Sequence, residues 1–198
     1  MKKAYKLSLA GMLVAIGVVA AALNLSIPVG ASKCFPVQHV INLLAAVILG
    51  PFYGVCMAFI ASAIRVLMGT GTLNAFPGSM IGALLCGLVY KGLKNTKLTF
   101  NARLAFTLLG ELIGTGFLGA LAAYPVTTFI IGTSIPFFYF VIPFGISSLG
   151  GVIIAALVLV PLGRMSFFSR LTAEREQKMF GKVRDTKEIL HASSPERE

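Results

Sequence analysis

The sequence predicts an all-α integral membrane protein, with six transmembrane helices in a compact bundle and both termini cytoplasmic. Three observations carry this. Of 198 residues, 57% are hydrophobic and 12% charged, with mean hydropathy +0.88, about half the charge of a soluble domain. The length accommodates about six spans of about 20 residues with short loops. The basic residues cluster at helix ends, as the positive-inside rule expects. Up to Arg164 they are Lys2, Lys3, Lys6, Lys33, Arg65, Lys91, Lys94, Lys97, Arg103 and Arg164, against the single acid Glu111. Six spans put all but Lys33 and Arg65 on the cytoplasmic side. The net charge of +10 is therefore a topology signal. A nucleic-acid surface would need a soluble face to display it.

Helix 1 is expected from about Lys6 to Leu25. The start MKKAYKLSLAGMLVAIGVVAAAL imitates a signal peptide, but its apolar run is long for one and later spans need it for topology. Gly11 and Ala15 form a small-xxx-small pair, extended by Ala10, Ala21 and Ala22, so another backbone can approach closely. That backbone belongs either to this chain or to a partner subunit. Pro28 ends the helix. Val29–Asn42 (VGASKCFPVQHVIN) follows outside and concentrates Lys33, Cys34, Pro36, Gln38, His39 and Asn42 between two apolar runs.

Helix 2 starts near Pro36, a residue suited to a first turn, and ends at Gly50. Helix 3 runs from about Phe52 to Met68, with Arg65 near its outer end. The loop Met68–Met80 carries three glycines, Asn74 and Pro77, and permits close backbone approach to a ligand. Helix 4 runs from about Pro77 to Tyr90, and the basic linker Lys91–Arg103 is cytoplasmic. Helix 5 runs from about Ala102 to Tyr124, with a packing face of Gly110, Gly114, Gly116 and Gly119. Tyr124–Gly145 is apolar but broken by Pro125, Pro136 and Pro143, which predicts a re-entrant or lid-like outer loop. A seventh span there would put Arg164 outside and spoil the charge bias. Helix 6 runs from about Ile146 to Leu162. Residues 1–165 thus form the membrane domain. Residues 166–198 form a polar, mixed-charge cytoplasmic tail, disordered at its end.

The three outer stretches can converge into one cup, since polar backbone at membrane depth is tolerated where it lines a cavity. Gln38, His39 and Asn42 share one sector of helix 2 by i,i+3 and i,i+4 spacing. Their side chains suit a small heteroaromatic or hydroxyl-bearing ligand, or hydrogen bonds between helices. Lys33 is either a ligand contact or a solvated loop charge. Arg65 and Glu111 are the charges inside spans, where charge is costly and faces a cavity or bundle interior. At about 1.5 Å rise per residue their heights differ by roughly 8 Å. They form either an ion pair or a ligand contact (Arg65) supported from below (Glu111). Asn74 and Tyr124 stand in the other two walls. The aromatic residues Tyr124, Phe137, Phe138, Tyr139 and Phe140 can stack on a flat ring or form an interfacial belt.

No phosphate-binding loop, nucleophile elbow or metalloprotease cluster occurs, and no cofactor or metal motif. With three cysteines, two of them (Cys56, Cys86) inside apolar runs, no disulfide framework is present. A membrane-embedded enzyme would need a second acid or a nucleophile meeting His39 or Glu111.

The small-residue helix 1, the three outer loops and six helices, over about residues 4–165, resemble the substrate-binding S components of energy-coupling factor (ECF) transporters. The segments VGASKCFPVQHVINLLAAVILGPFYG and RVLMGTGTLNAFPGSMIGALLCGLVY resemble the ThiW group, associated with the thiazole moiety of thiamine. The resemblance implies a bacterial or archaeal cell membrane, a transmembrane coupling protein and two ATPase subunits as partners, and uptake of hydroxyethylthiazole or a close precursor. It implies docking through helix 1, where the family's Ala-x-x-x-Ala is here Gly11-x-x-x-Ala15. Hydroxymethylpyrimidine is the rival ligand. A structural membrane subunit is the rival from another class.

Overall fold

The computed structural model describes residues 3–29, 32–165 and Phe168. They form six helices: α1 (Lys3–Ala22), α2 (Pro36–Ile48), α3 (Pro51–Leu67), α4 (Ala75–Leu93), α5 (Phe100–Ile131) and α6 (Val141–Arg164). Four of these, α1, α4, α5 and α6, are long and apolar enough to cross a membrane. The outward side chains are apolar, as lipid contact requires; Leu7, Met12, Phe52, Phe129 and Leu157 are all exposed.

The shortest helix is the centre of the bundle. α2 has 13 residues and rises about 20 Å, less than the about 30 Å of a hydrocarbon core. It touches each of the other five helices. One face (Ile41, Ala45, Leu49) packs with Leu13 and Val14 of α1 and Met57 and Ala61 of α3. The opposite face (Leu43, Val47) packs with Cys86 and Tyr90 of α4, Leu104 of α5 and Leu159 of α6. Its apolar residues therefore run nearly all round, and the sector that remains carries Gln38, His39 and Asn42.

Prolines set the helix starts. Pro36 and Pro51 occupy first-turn positions, where the missing N–H costs nothing. Gly50 joins them at φ 93°, with its N–H on Ala45 O at 2.7 Å. A side chain is strained in that left-handed backbone.

Several expected boundaries shift. α1 stops at Ala22, ahead of Pro28, and Asn24 takes a left-handed turn at φ 54°. The polar stretch then begins as an antiparallel hairpin, β1 (Ile27–Val29) paired with β2 (Ser32–Cys34), Pro28 opposite Lys33. This hairpin was not expected from the sequence; its strands of three residues are too short to show an alternation.

The larger correction concerns Tyr124–Gly145. Helix α5 does not end at Tyr124 but runs on to Ile131, through two π-helical segments, Gly114–Gly119 and Val126–Ile131. Pro125 sits between them, inside the helix; the wider turns re-route the hydrogen bonds that a proline interrupts. Pro143 falls in the first turn of α6, where N–H groups have no intrahelical partner. The outer loop is thus residues 132–140, and α6 starts five residues earlier than expected. No further helix lies between Ile131 and Val141. The tail from residue 166 lies outside them, except Phe168, whose ring meets Phe100 at 6.1 Å.

Candidate functional site

A cavity of about 430 Å³ opens at the end of the bundle where the α1–α2, α3–α4 and α5–α6 connections meet. All three polar stretches line it. The first contributes Lys33, Phe35, Gln38 and His39, the second Gly69, Thr70, Gly71, Thr72, Asn74 and Ser79, the third Thr127, Ile131, Thr133, Tyr139 and Phe140. Such a volume suits a small molecule.

Behind one wall lies a buried hydrogen-bond network centred on Glu111, which has no solvent exposure. Its Oε1 receives His39 Nδ1 at 2.9 Å, Asn42 Nδ2 at 3.0 Å and Thr115 Oγ1 at 3.0 Å. An ionised carboxylate only accepts, so it dictates the polarity of everything attached. Asn42 must turn its NH₂ towards Glu111 and Ser79 O, leaving Oδ1 to accept from Gln38 Nε2 at 3.3 Å. Gln38 then has Oε1 left over, an acceptor with no partner among the described residues. By the same logic His39 presents an N–H at Nδ1 to the carboxylate, and its Nε2 lies 3.0 Å from Ser147 Oγ. Ser147 Oγ in turn accepts the Phe35 N–H at 2.8 Å. One acid therefore orients the groups that face the cavity through His39, Gln38, Thr115 and Ser147.

Arg65 stands apart from this network. It is 6% exposed, sits in the last turn of α3 and lines the cavity. Its guanidinium carbon lies 4.0 Å from the Phe35 ring centroid, a cation–π contact. The expected alternative of an Arg65–Glu111 ion pair does not occur; Glu111 pairs with His39. Arg65 Nε has no hydrogen-bond partner among the described residues. Its backbone oxygen accepts from Thr70 N and Gly71 N at 2.9 and 3.0 Å, which folds the following loop over the end of α3.

Of the residues singled out from the sequence, Lys33, Gln38, His39, Arg65 and Asn74 lie on the cavity wall. Asn74 Oδ1 accepts from Thr127 Oγ1 at 2.9 Å and ties the second wall to the third. Lys33 is exposed at the rim. Asn42 and Glu111 are not on the wall; they work from behind it. Tyr124 is off the wall too, because α5 is still helical there and aims the ring at Phe137, 5.0 Å away. Tyr139 and Phe140 line the cavity in its place, with Phe144.

Sequence reasoning missed Phe35, Ser79, Thr115, Thr127 and Ser147. Thr115 stands one helical turn after Glu111, and Ser147–Ser148 interrupts an apolar helix; both are signals of interhelical polar contacts. Cys34 Sγ donates to Pro143 O at 3.1 Å, pinning the hairpin to α6. Burial pushes its thiol pKa up, so it stays protonated.

The profile of the thiamine-precursor transporter proteins (ThiW) matches residues 7–165. The chain belongs to the ThiW family. No curated protein and no solved structure matches it. Membership makes the chain a membrane transporter protein with a thiamine precursor as its substrate class. The ThiW match covers α1 from residue 7, the other five helices in full and every residue of the cavity wall. It ends at residue 165, ahead of the polar tail.

Proposed function

We propose that this ThiW protein is the substrate-binding S component of an ECF-type importer, and that its ligand is the thiazole moiety of thiamine or a close precursor. The observation that carries this is the cavity itself. One cavity of about 430 Å³, walled by all three connections at one end of the bundle, suits capture of a small molecule from that side. Phe35, Tyr139, Phe140 and Phe144 offer faces for a flat heteroaromatic ring. Gln38, His39 and Asn74 offer polar contacts at its edge, while Asn42 and Glu111 hold them in place.

In this reading all six helices span, the short α2 sitting within the bundle, and both termini face the cytoplasm with the basic α4–α5 linker. Energy comes from a coupling protein and two ATPase subunits in the cell membrane. Gly11 and Ala15 form the docking patch. Both are exposed on α1, and a Cβ built on Gly11 would meet nothing within 4 Å. Ala10 does not belong to that patch, since it is buried against α2 and α3.

Native mass spectrometry of the purified protein tests the ligand, with calorimetry of thiazole and pyrimidine precursors in the absence of ATP. A co-purifying thiazole, and heat with thiazoles alone, is the expected result. Heat with hydroxymethylpyrimidine only would replace the ligand. No small molecule bound in either assay would remove the S-component reading.

A further inference from the structure

We infer that the ligand carries an acidic group, a phosphate monoester or a carboxylate, and that Arg65 holds it. This rests on the cavity being the precursor-binding site, and it narrows the precursor to an anion.

The charges around the cavity are one-sided. Arg65 and Lys33 line it, and among the described residues no Asp or Glu does. Arg65 is buried, yet among the described residues its side chain makes no hydrogen bond and no ion pair. The only acid of the membrane domain, Glu111, is committed to His39, Asn42 and Thr115. A buried arginine without a counter-charge is costly, and arginines in membrane proteins normally find one. Phe35 covers a face of the guanidinium and leaves its N–H edge, the geometry that takes two oxygens of a phosphate or carboxylate at once. Lys33, exposed at the rim, adds attraction for an approaching anion. A neutral alcohol would occupy the same space and leave the charge of Arg65 unanswered.

The test is calorimetry on the full chain with two matched sets of probes. Each set holds an alcohol, its phosphate monoester and the corresponding carboxylate, one on a thiazole ring and one on an aminopyrimidine ring. At least one acid should bind about tenfold or more tighter than its alcohol, and which acid does so identifies the group. Arg65→Gln should erase that preference by weakening acid binding about tenfold or more beyond any loss of alcohol binding; Arg65→Lys should restore part of it, as a point charge without the bidentate edge. Equal or tighter binding of the alcohol by the unmodified protein overturns the inference, whatever the variants do. So does an Arg65→Gln protein that loses alcohol and acid alike. Acid preference on the pyrimidine ring alone keeps the inference and overturns the thiazole reading. No binding by any of the six overturns both.

Discussion

Glu111 reaches further into the site than any group on the cavity wall. Its partners His39 and Asn42 lie 72 and 69 residues away in sequence. Spacing shows that Gln38, His39 and Asn42 share a helix sector, and it shows that a lone acid in a span needs a reason. It does not show that the two belong together, because the contact depends on how α2 and α5 pack. The height estimate from helix starts left Arg65 open as a partner of Glu111 or as a ligand contact above it, because a one-dimensional rise carries no information on which way each helix faces. Glu111→Gln keeps an acceptor at the Oε1 position, where the three donors converge, and puts a buried NH₂ at the Oε2 position, which has no hydrogen-bond partner among the described residues. We expect a loss of about 2–4 kcal/mol of stability, from weakened charge-assisted hydrogen bonds and a buried NH₂ without an acceptor. Thermal unfolding in detergent measures it. Ligand affinity should fall with it, since His39 and Gln38 lose their fixed orientation; an unchanged melting temperature would mean that the network does not hold the site.

At the scale of elements, α5 is the helix that both packs and opens. Its glycines were legible as a close-packing face, and the packing is closer than spacing alone conveys. A Cβ on Gly119 would stand 2.7 Å from Gly78 Cα, and one on Gly114 2.9 Å from Gly82 Cα, so α4 and α5 meet backbone to backbone. The π-helical segments of α5 place Thr115, Thr127 and Ile131 on the cavity; wide turns of this kind are frequent at functional sites. The three prolines of the outer stretch read as helix breakers because propensity is a local quantity. Helical hydrogen bonding survives around Pro125 through the wider turns, and Pro143 falls where no bond was to be lost. Gly82→Ala tests the α4–α5 contact and the network together. Its methyl would run into the Thr115 hydroxyl and stand 2.9 Å from both oxygens of Glu111. We expect destabilisation of about 1–3 kcal/mol from overpacking, with reduced ligand binding, by the same unfolding and calorimetric measurements. Gly92→Ala, where a Cβ meets nothing within 4 Å, is the matched control and should leave both unchanged.

At the scale of the whole molecule, the bundle separates two surfaces on α1. Ala10, Leu13, Val14 and Gly17 face inward, while Gly11, Met12, Ala15 and Ile16 face outward. The small-residue surface thus serves both of its readings, with one part packed inside the chain and another left for lipid or a partner. Gly11→Leu with Ala15→Leu adds bulk only outside, so folding and ligand binding should persist. If the patch docks a coupling protein, uptake in cells should fall at least about tenfold. Uptake unchanged by the double substitution would move the docking face elsewhere. Composition, the run of apolar segments and the placement of basic residues determined by themselves that this is a helical membrane protein with six helices and three polar connections. Those are properties of solvation and chain length, and each residue carries its share of them independently. Only the tertiary structure decided that α2 is the central helix, that Glu111 serves His39 and Asn42, and that Arg65 stands on the cavity wall apart from Glu111. Those outcomes depend on the rotation of each helix about its own axis, which many weak contacts settle jointly and no single segment encodes.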